Sequence, residues 1–211
     1  MASRPARFLV YNCSMGKLIT IVGASGVGKT ALVQALSKAH PFAAAYEQHQ
    51  TRPFQALFKQ DKKYALANQL DYLLLRAEQE KELRASPHIG LMDGGLDLDF
   101  HGFTRLFLSR NLLSEPEFDL CRRIYQLIRE SSPGPELIVR LCADEITVAD
   151  RLAERNRINI ASVEDTALFT FFVDEWLASV PSHRKLDLDV SHESLDYSQS
   201  VARILERIKV W

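Results

Sequence analysis

Apolar and polar residues follow two different periods along this chain, and the two periods alternate from end to end. Short aliphatic and β-branched runs predict buried strands at 17–22, 43–46, 89–92, 138–142 and 186–190, with a loop around Pro53 after the second. Apolar residues three and four apart predict helices at 30–39, 61–85, most of 102–130 with a break near 114–116, 147–156, 163–179 and 196–209. This alternation indicates an α/β fold of three layers, in which helices flank a parallel sheet.

The composition fits one globular domain. The chain has 211 residues, of which 46% are hydrophobic and 25% charged, and a chain of this length buries a core without disulfides or a structural metal. Its three cysteines are odd in number and show no C-x-x-C spacing, which indicates a reducing compartment and predicts a cytoplasmic protein. We assign 1–16 to an N-terminal extension and 17–211 to a single domain.

Charge and hydropathy limit the classes of partner. The net charge is -1 at pH 7, so no overall basic field favours nucleic acid or an anionic membrane. No apolar run approaches the roughly 18 residues of a membrane span. Residues 1–46 contain no Asp or Glu, as in transit peptides, but their lysines lie inside the predicted domain, which argues against a targeting segment. Met15 is an alternative start to Met1.

A glycine-rich motif carries the strongest chemical signal. It matches G-x-x-x-x-G-K-[ST] in full, lies between a predicted strand and helix, and consists of Gly23, Ala24, Ser25, Gly26, Val27, Gly28, Lys29 and Thr30. Glycines let backbone N–H groups close around phosphate oxygens, and the helix N-terminus adds partial positive charge. We expect Lys29 to reach the β- and γ-phosphates of ATP and Thr30 to bind Mg²⁺. The glycine order does not fit a Rossmann dinucleotide site.

Two carboxylates follow predicted strands. Asp93 can face Mg²⁺ at the carboxyl edge of the sheet, or it can simply start the turn at Gly94 and Gly95. Glu47 is either a general base or a loop carboxylate. No histidine pair and no Ser or Cys nucleophile motif supports hydrolytic metal or triad chemistry.

Two polar groups are associated with predicted helices. Arg151 and Arg155 share a face of the 147–156 helix, and Asn156 can end that helix so that Arg157 turns back towards them. The three arginines either surround a triphosphate or form a solvated helix face. Gln69 and Arg76, seven residues apart and near Tyr72, share one face of the 61–85 helix. The Gln69 amide can pair with the edge of a base, although an ordinary polar flank has the same pattern.

These segments together resemble the deoxynucleoside kinase family, from residue 17 onwards. The matching segments are the phosphate loop, Glu47 with Arg52-Pro53-Phe54, Lys63-Tyr64-Ala65, Gln69 with Arg76, Asp93 with Asp99, and the spacing Arg-x-x-x-Arg-x-Arg at Arg151, Arg155 and Arg157. The resemblance implies a P-loop fold with a helical lid that contains the three arginines, which hold the ATP γ-phosphate. It implies that Glu47 accepts the proton of a nucleoside 5′-hydroxyl, and that Gln69, Arg76 and Asp99 read the base. The family also pairs through helices, and the apolar residues of 61–85 and 102–130 exceed what one packing face needs, so we expect a homodimer.

The chain departs from the family pattern at three positions. Gly94 replaces an arginine that bridges the general base and the reacting oxygen, Phe58 replaces a tyrosine for the sugar 3′-hydroxyl, and Ile160 replaces a lid glutamate for the same hydroxyl. Arg52 is our candidate for the catalytic role of the missing arginine. The alternative is that Arg52 is an exposed loop cation.

The sequence therefore predicts an ATP- and Mg²⁺-dependent kinase that converts a small-molecule nucleoside into its 5′-monophosphate. A nucleoside-monophosphate or other small-molecule kinase is an alternative, in which Arg52 and Arg76 line a second phosphate site. An ATP-binding regulatory protein without catalysis is another.

Overall fold

The computed structural model describes residues 15–46, 52–153, 163–194 and 196–211. Five strands form one sheet: β1 (Leu18–Val22), β2 (Ala43–Ala45), β3 (Gly90–Asp93), β4 (Leu137–Cys142) and β5 (Lys185–Asp189). Their order is β2-β3-β1-β4-β5, and every neighbouring pair is parallel. This confirms the predicted α/β fold.

Helices connect the strands. Their bounds are α1 Lys29–Ala39, α2 Pro53–Gln60, α3 Ala65–Ala85, α4 Leu96–Leu98, α5 Arg105–Ser109, α6 Glu115–Ser131, α7 Glu145–Ala153, α8 Val163–Ser179 and α9 Ser198–Ile208. The stretch Asp99–Thr104 between α4 and α5 is a π-helix. The described helices include none that is long and apolar enough to cross a membrane.

The predicted loop around Pro53 is wrong, because 53–60 is helical. Proline favours the first position of a helix, where its missing N–H would have no helical partner and its φ is already suitable. The predicted 61–85 helix starts with a separate 3₁₀ turn at Lys62–Tyr64, in which the Asp61 carboxylate accepts a hydrogen bond from the backbone N–H of Lys63. Helix α7 starts two residues before its predicted start at 147, and the predicted end at 156 lies outside the described residues.

Strand β1 lies at the centre of the sheet and is buried over its whole length. Alternate side chains of a strand point to opposite faces. Ile19 and Ile21 pack with α1 and α9, whereas Val22 packs with Phe169 and Val173 of α8. Because all strands are parallel, their carboxyl ends share one edge, and the chain reaches that edge at Gly23 after β1 and at Asp93 in β3.

Candidate active site

The phosphate loop connects β1 to α1 and depends on glycine at particular positions. Gly23, Gly26 and Gly28 have φ values of 143°, 83° and 108°, in the region that side chains disfavour. At Gly28 a Cβ atom would lie 1.9 Å from the hydroxyl oxygen of Tyr197, which is fully buried beneath the loop. The backbone conformation and the available space therefore both require glycine at 28.

Lys29 begins α1 and folds over the start of the loop. Its Nζ donates hydrogen bonds to the carbonyl oxygens of Gly23, at 3.1 Å, and Ala24, at 3.0 Å. The ammonium group and the N-terminus of α1 thus lie at one place on the carboxyl edge of the sheet. Both favour an anion, which is the arrangement that a phosphate-binding loop requires.

A hydrogen bond between Thr30 and Asp93 connects the phosphate loop to β3. Thr30 Oγ1 donates a 2.5 Å hydrogen bond to Asp93 Oδ2. Asp93 is fully buried, and its other oxygen, Oδ1, has no partner among the described residues. Gly94 and Gly95 both have positive φ, so the predicted turn after Asp93 is present as well.

This hydroxyl and this carboxylate fit a Mg²⁺ ion. Mg²⁺ prefers oxygen ligands and is usually held by one or two carboxylates together with phosphate and water. The part of the chain that the structure describes has no group of three or more His, Cys, Asp and Glu residues that could hold a metal. A Mg²⁺ ion at Thr30 and Asp93 would therefore take its further ligands from phosphate or water.

Helix α3 places a row of polar side chains in the interior. Asn68, Gln69, Arg76, Gln79 and Glu80 are each 9% exposed or less. Buried polar groups are costly unless they bind one another or a ligand. The buried face of α3 is thus suited to line a polar site.

Arg76 connects this face to the turn after Asp93. Its Nε donates a 2.9 Å hydrogen bond to Asp99 Oδ2, and its Nη1 donates to Gln79 Oε1 at 3.1 Å. A Cβ atom at Gly94 would lie 3.2 Å from Arg76 Nη2. Arg76 therefore lies beside Gly94, and a side chain at 94 would require the Arg76 guanidinium to shift by a few tenths of an ångström.

The π-helix holds Gln69 in place. Thr104 Oγ1 donates a 3.0 Å hydrogen bond to Gln69 Oε1 and lies 3.1 Å from the backbone oxygen of Asp99. The structure thus brings Gln69, Arg76 and Asp99 into one buried network. Their predicted contact with a base stays a prediction. Short π-helices are often found at functional sites.

A family model for deoxynucleoside kinases matches residues 19–210. The chain belongs to the deoxynucleoside kinase family. It is therefore a phosphotransferase, and the predicted resemblance is confirmed.

Individual relatives are distant. The chain is 22% identical to the deoxyguanosine kinase of Bacillus subtilis over 84% of its length and 85% of that protein's. It is 21% identical to the deoxyadenosine/deoxycytidine kinase of the same organism, over 70% of this chain and 69% of that one. A structure of deoxyadenosine kinase from M. mycoides with bound dCTP has a TM-score of 0.72 at 18% identity, covering 92% of this chain and 100% of that one. At this identity the structural match shows the shared fold.

In this kinase, the side chain of Arg151 contacts the phosphate loop. Its Nη1 donates a 2.7 Å hydrogen bond to the backbone oxygen of Val27, and its Nη2 donates to that of Val190 at 3.1 Å. The guanidinium carbon lies 5.9 Å from the centre of the Tyr197 ring. Arg151 thus connects the phosphate loop to the residue that follows β5. Arg155 and Arg157, and the family position at Ile160, lie outside the described residues.

The remaining predicted site residues lie on α2 and α3 or beyond the described chain. Arg52 immediately precedes α2 and forms a two-bond ion pair with Asp71. Phe58 is buried with its ring centre 5.1 Å from that of Phe107. Tyr72 is half-buried on α3. Glu47 lies outside the described residues.

Sequence reasoning did not single out Asn68, Thr104 or Tyr197. Asn68 directly precedes Gln69. Two adjacent amides on the inner face of a predicted helix are a sequence pattern from which a polar site could have been predicted. Thr104 and Tyr197 act through contacts with residues 35 and more than 160 positions away, which no local pattern shows.

Proposed function

We propose that this kinase transfers the γ-phosphoryl group of ATP to the 5′-hydroxyl of a nucleoside or deoxynucleoside. The observation that carries the proposal is the position of Arg76. It joins the polar face of α3 to the turn after Asp93, so a base beside Gln69 and Asp99 would be held next to the phosphate-binding edge.

The nucleotide side of the site follows from the phosphate loop. Lys29 and the N-terminus of α1 favour the phosphates of ATP, while Thr30 and Asp93 offer oxygen ligands for Mg²⁺. When bound, Mg²⁺ would neutralise charge that develops on the transferred group. Phosphoryl transfer needs positioning and charge neutralisation more than covalent chemistry. The loop of Gly23–Thr30, held by Lys29 and Arg151 through its backbone oxygens, would supply the positioning.

The state of the arginines supports a nucleoside over a nucleoside monophosphate. A monophosphate acceptor needs guanidinium groups to bind its phosphate. Arg52 is already bound to Asp71, and Arg76 is bound to Asp99, both with nitrogen–oxygen distances below 3.0 Å. A second phosphate site would have to break both ion pairs, whereas a neutral base can hydrogen-bond to the Gln69 amide without breaking either.

Three roles come from the family resemblance. Glu47 would accept the proton of the 5′-hydroxyl, and Arg155 and Arg157 would stabilise the γ-phosphoryl group during transfer. The resemblance gives Arg151 the same role as Arg155 and Arg157. Because its guanidinium is bound to the backbone oxygens of Val27 and Val190, we propose instead that Arg151 fixes helix α7 against the phosphate loop. Phe58 would line the sugar side of the pocket, and Tyr72 would bind the substrate near Gln69 and Arg76.

We also propose a homodimer through α3 and α6. Part of the apolar surplus predicted in 102–130 serves the monomer core, since Leu106, Phe107 and Leu113 are buried. Leu74 on α3 and Leu127 on α6 remain 53% and 63% exposed. A second copy that buries both would explain them, and a strictly monomeric mass by light scattering at tens of micromolar would contradict the dimer.

A substrate panel tests the proposed activity. Purified kinase with Mg²⁺ and ATP is offered nucleosides, deoxynucleosides and nucleoside monophosphates, and ADP formation is followed together with the product. We expect turnover that depends on a nucleoside and yields its 5′-monophosphate. Turnover with monophosphates alone would favour the second phosphate site, and ATP binding without turnover would favour a regulatory protein. A cytoplasmic location stays a prediction.

A further inference from the structure

Among the described residues, three buried side-chain atoms have no hydrogen-bond partner: Asn68 Oδ1, Arg84 Nε and Asp93 Oδ1. Buried polar atoms of native proteins are almost always paired, so each exception needs a physical reason. Asp93 Oδ1 lies in the candidate Mg²⁺ site, where an ion would bind it. The Arg84 guanidinium bonds through its other two nitrogens to Gly16, Pro133, Gly134 and Glu136. Asn68 Oδ1 lies neither in the candidate Mg²⁺ site nor in a side chain for which the structure gives other hydrogen bonds.

Asn68 lies on the helix face that the proposed base pocket uses. It directly precedes Gln69, one turn before Tyr72 and two turns before Arg76. At about 100° per residue these four side chains leave α3 within one third of its circumference. Asn68 is only 4% exposed, as is Gln69. Its amide oxygen is therefore removed from bulk water at the level of the base-reading residues.

The neighbouring Gln69 is already oriented. Its Oε1 accepts the hydrogen bond from Thr104 Oγ1, so its amide nitrogen is the group that can donate to a ligand. Asn68 Oδ1 can only accept. Asn68 and Gln69 leave α3 about 100° apart, within the same third of its circumference, and together they offer one acceptor and one donor. This pair complements an edge on which an amino group stands beside a ring nitrogen, as in adenine and cytosine.

We propose that Asn68 is a specificity-determining residue whose Oδ1 accepts a hydrogen bond from the exocyclic amino group of the substrate base. The proposal rests on the proposed nucleoside kinase activity and specifies its substrates, namely nucleosides with an amino group beside a ring nitrogen. Without substrate, Asn68 Oδ1 has no hydrogen-bond partner among the described residues; when the base binds, its amino group donates a hydrogen bond to this oxygen. The cost of the unpaired atom in the free enzyme is thus recovered only with the matching base.

The test uses substrates that differ only in this amino group. Deoxyadenosine is compared with purine 2′-deoxyriboside, and deoxycytidine with 2-pyrimidinone 2′-deoxyriboside. For whichever pair is turned over, we expect the wild type to prefer the amino-bearing member by about tenfold in kcat/KM, the ratio that one well-made hydrogen bond supplies. Asn68→Leu should remove most of this preference by weakening only the amino-bearing substrate, whereas Asn68→Asp, which keeps an acceptor, should retain it.

Thermal stability separates this role from a structural one. Asn68→Leu replaces an amide whose buried oxygen has no partner by an apolar group of similar size, so its Tm should equal or exceed that of the wild type. Gln126→Leu, a comparable replacement of an amide by leucine at an exposed position of α6, serves as the control and should leave both the Tm and the substrate ratio unchanged.

Two results would overturn the proposal while leaving the kinase activity in place. One is an unchanged preference for amino-bearing substrates in Asn68→Leu. The other is a lower Tm with an equal loss for both members of a pair, which would make Asn68 a structural residue. If no nucleoside is turned over by any variant or bound in a thermal-shift assay, the proposed function itself fails, and the role of Asn68 fails with it.

Discussion

Both carboxylate oxygens of Asp71 accept hydrogen bonds from the guanidinium of Arg52, with Nε–Oδ2 and Nη2–Oδ1 distances of 2.5 and 2.6 Å. The side chains are 22% and 19% exposed, and the bond to Asp71 raises the pKa of Arg52 above its ordinary value. The pair ties the start of α2 to the second turn of α3. The catalytic role predicted for Arg52 stays a prediction, and it requires Arg52 to leave Asp71 for the reacting phosphate.

Separate substitutions of the two partners distinguish these roles. If Arg52 replaces the family arginine that is missing at Gly94, Arg52→Ala should lower kcat at least about a hundredfold with little change in ATP affinity, since guanidinium groups in related transfers contribute more than that. Asp71→Asn, which frees Arg52, should keep kcat within about threefold of the wild type. Equal losses of stability in both variants, with kcat preserved in Arg52→Ala, would make the pair purely structural.

Gln69 should affect the nucleoside far more than ATP. Gln69→Ala removes the amide that would pair with the base, so we expect the KM for the nucleoside to rise about tenfold or more while the KM for ATP changes little. Thr104→Val keeps the side-chain shape and removes only the hydroxyl that holds Gln69 Oε1. Thr104→Val should also raise the KM for the nucleoside without changing the KM for ATP, but by less than Gln69→Ala does. Equal changes in both KM values would show that Gln69 only supports the helix.

His101 should make the fold sensitive to mild acid. It stacks on Trp176, with ring centres 5.3 Å apart, and lies 3.2 Å from the hydroxyl of Tyr125. Burial lowers the pKa of His101 to about 4, from an ordinary value of 6.5. The unfolded chain therefore binds the proton first, and stability falls as the pH drops from 6.5 towards 4, by roughly 3 kcal/mol at most for this group.

Denaturant unfolding at several pH values checks the His101 effect. His101→Gln should lose less stability than the wild type between about pH 7 and about pH 4.5. His88→Gln, at an exposed position, should follow the wild-type curve. Parallel curves for the wild type and His101→Gln would show that His101 titrates normally in the folded state.

Local motifs made the nucleotide side of the site predictable. The phosphate loop and Asp93 depend on residues adjacent in sequence and on strand ends that a parallel sheet must bring to one edge. The link between Gln69 and Arg76 follows from helical periodicity. Contacts across the fold were not predictable. Arg151 binds the oxygen of Val27 across 124 positions, because the chain after β4 returns to the phosphate loop, and no periodic pattern encodes that return.

The structure also gives a physical reason why glycine suits position 94 of this chain. Gly94 has a φ of 83°, and a Cβ there would lie 3.2 Å from Arg76 Nη2. An arginine at 94 would be strained by this φ and would require Arg76 to shift by a few tenths of an ångström. The sequence showed only that the family arginine was missing.

Steady-state turnover of Lys29→Ala with ATP, Mg²⁺ and an accepted nucleoside tests the central claim most directly. Lys38→Ala, at an exposed position near the end of the same helix, is the matched control, and circular dichroism checks that both variants fold. We expect Lys29→Ala to lose nucleoside-dependent ADP formation by at least about a thousandfold, because the lysine neutralises the transferred phosphate, while Lys38→Ala stays at the wild-type rate. Wild-type turnover in a folded Lys29→Ala variant would contradict phosphoryl transfer at this loop.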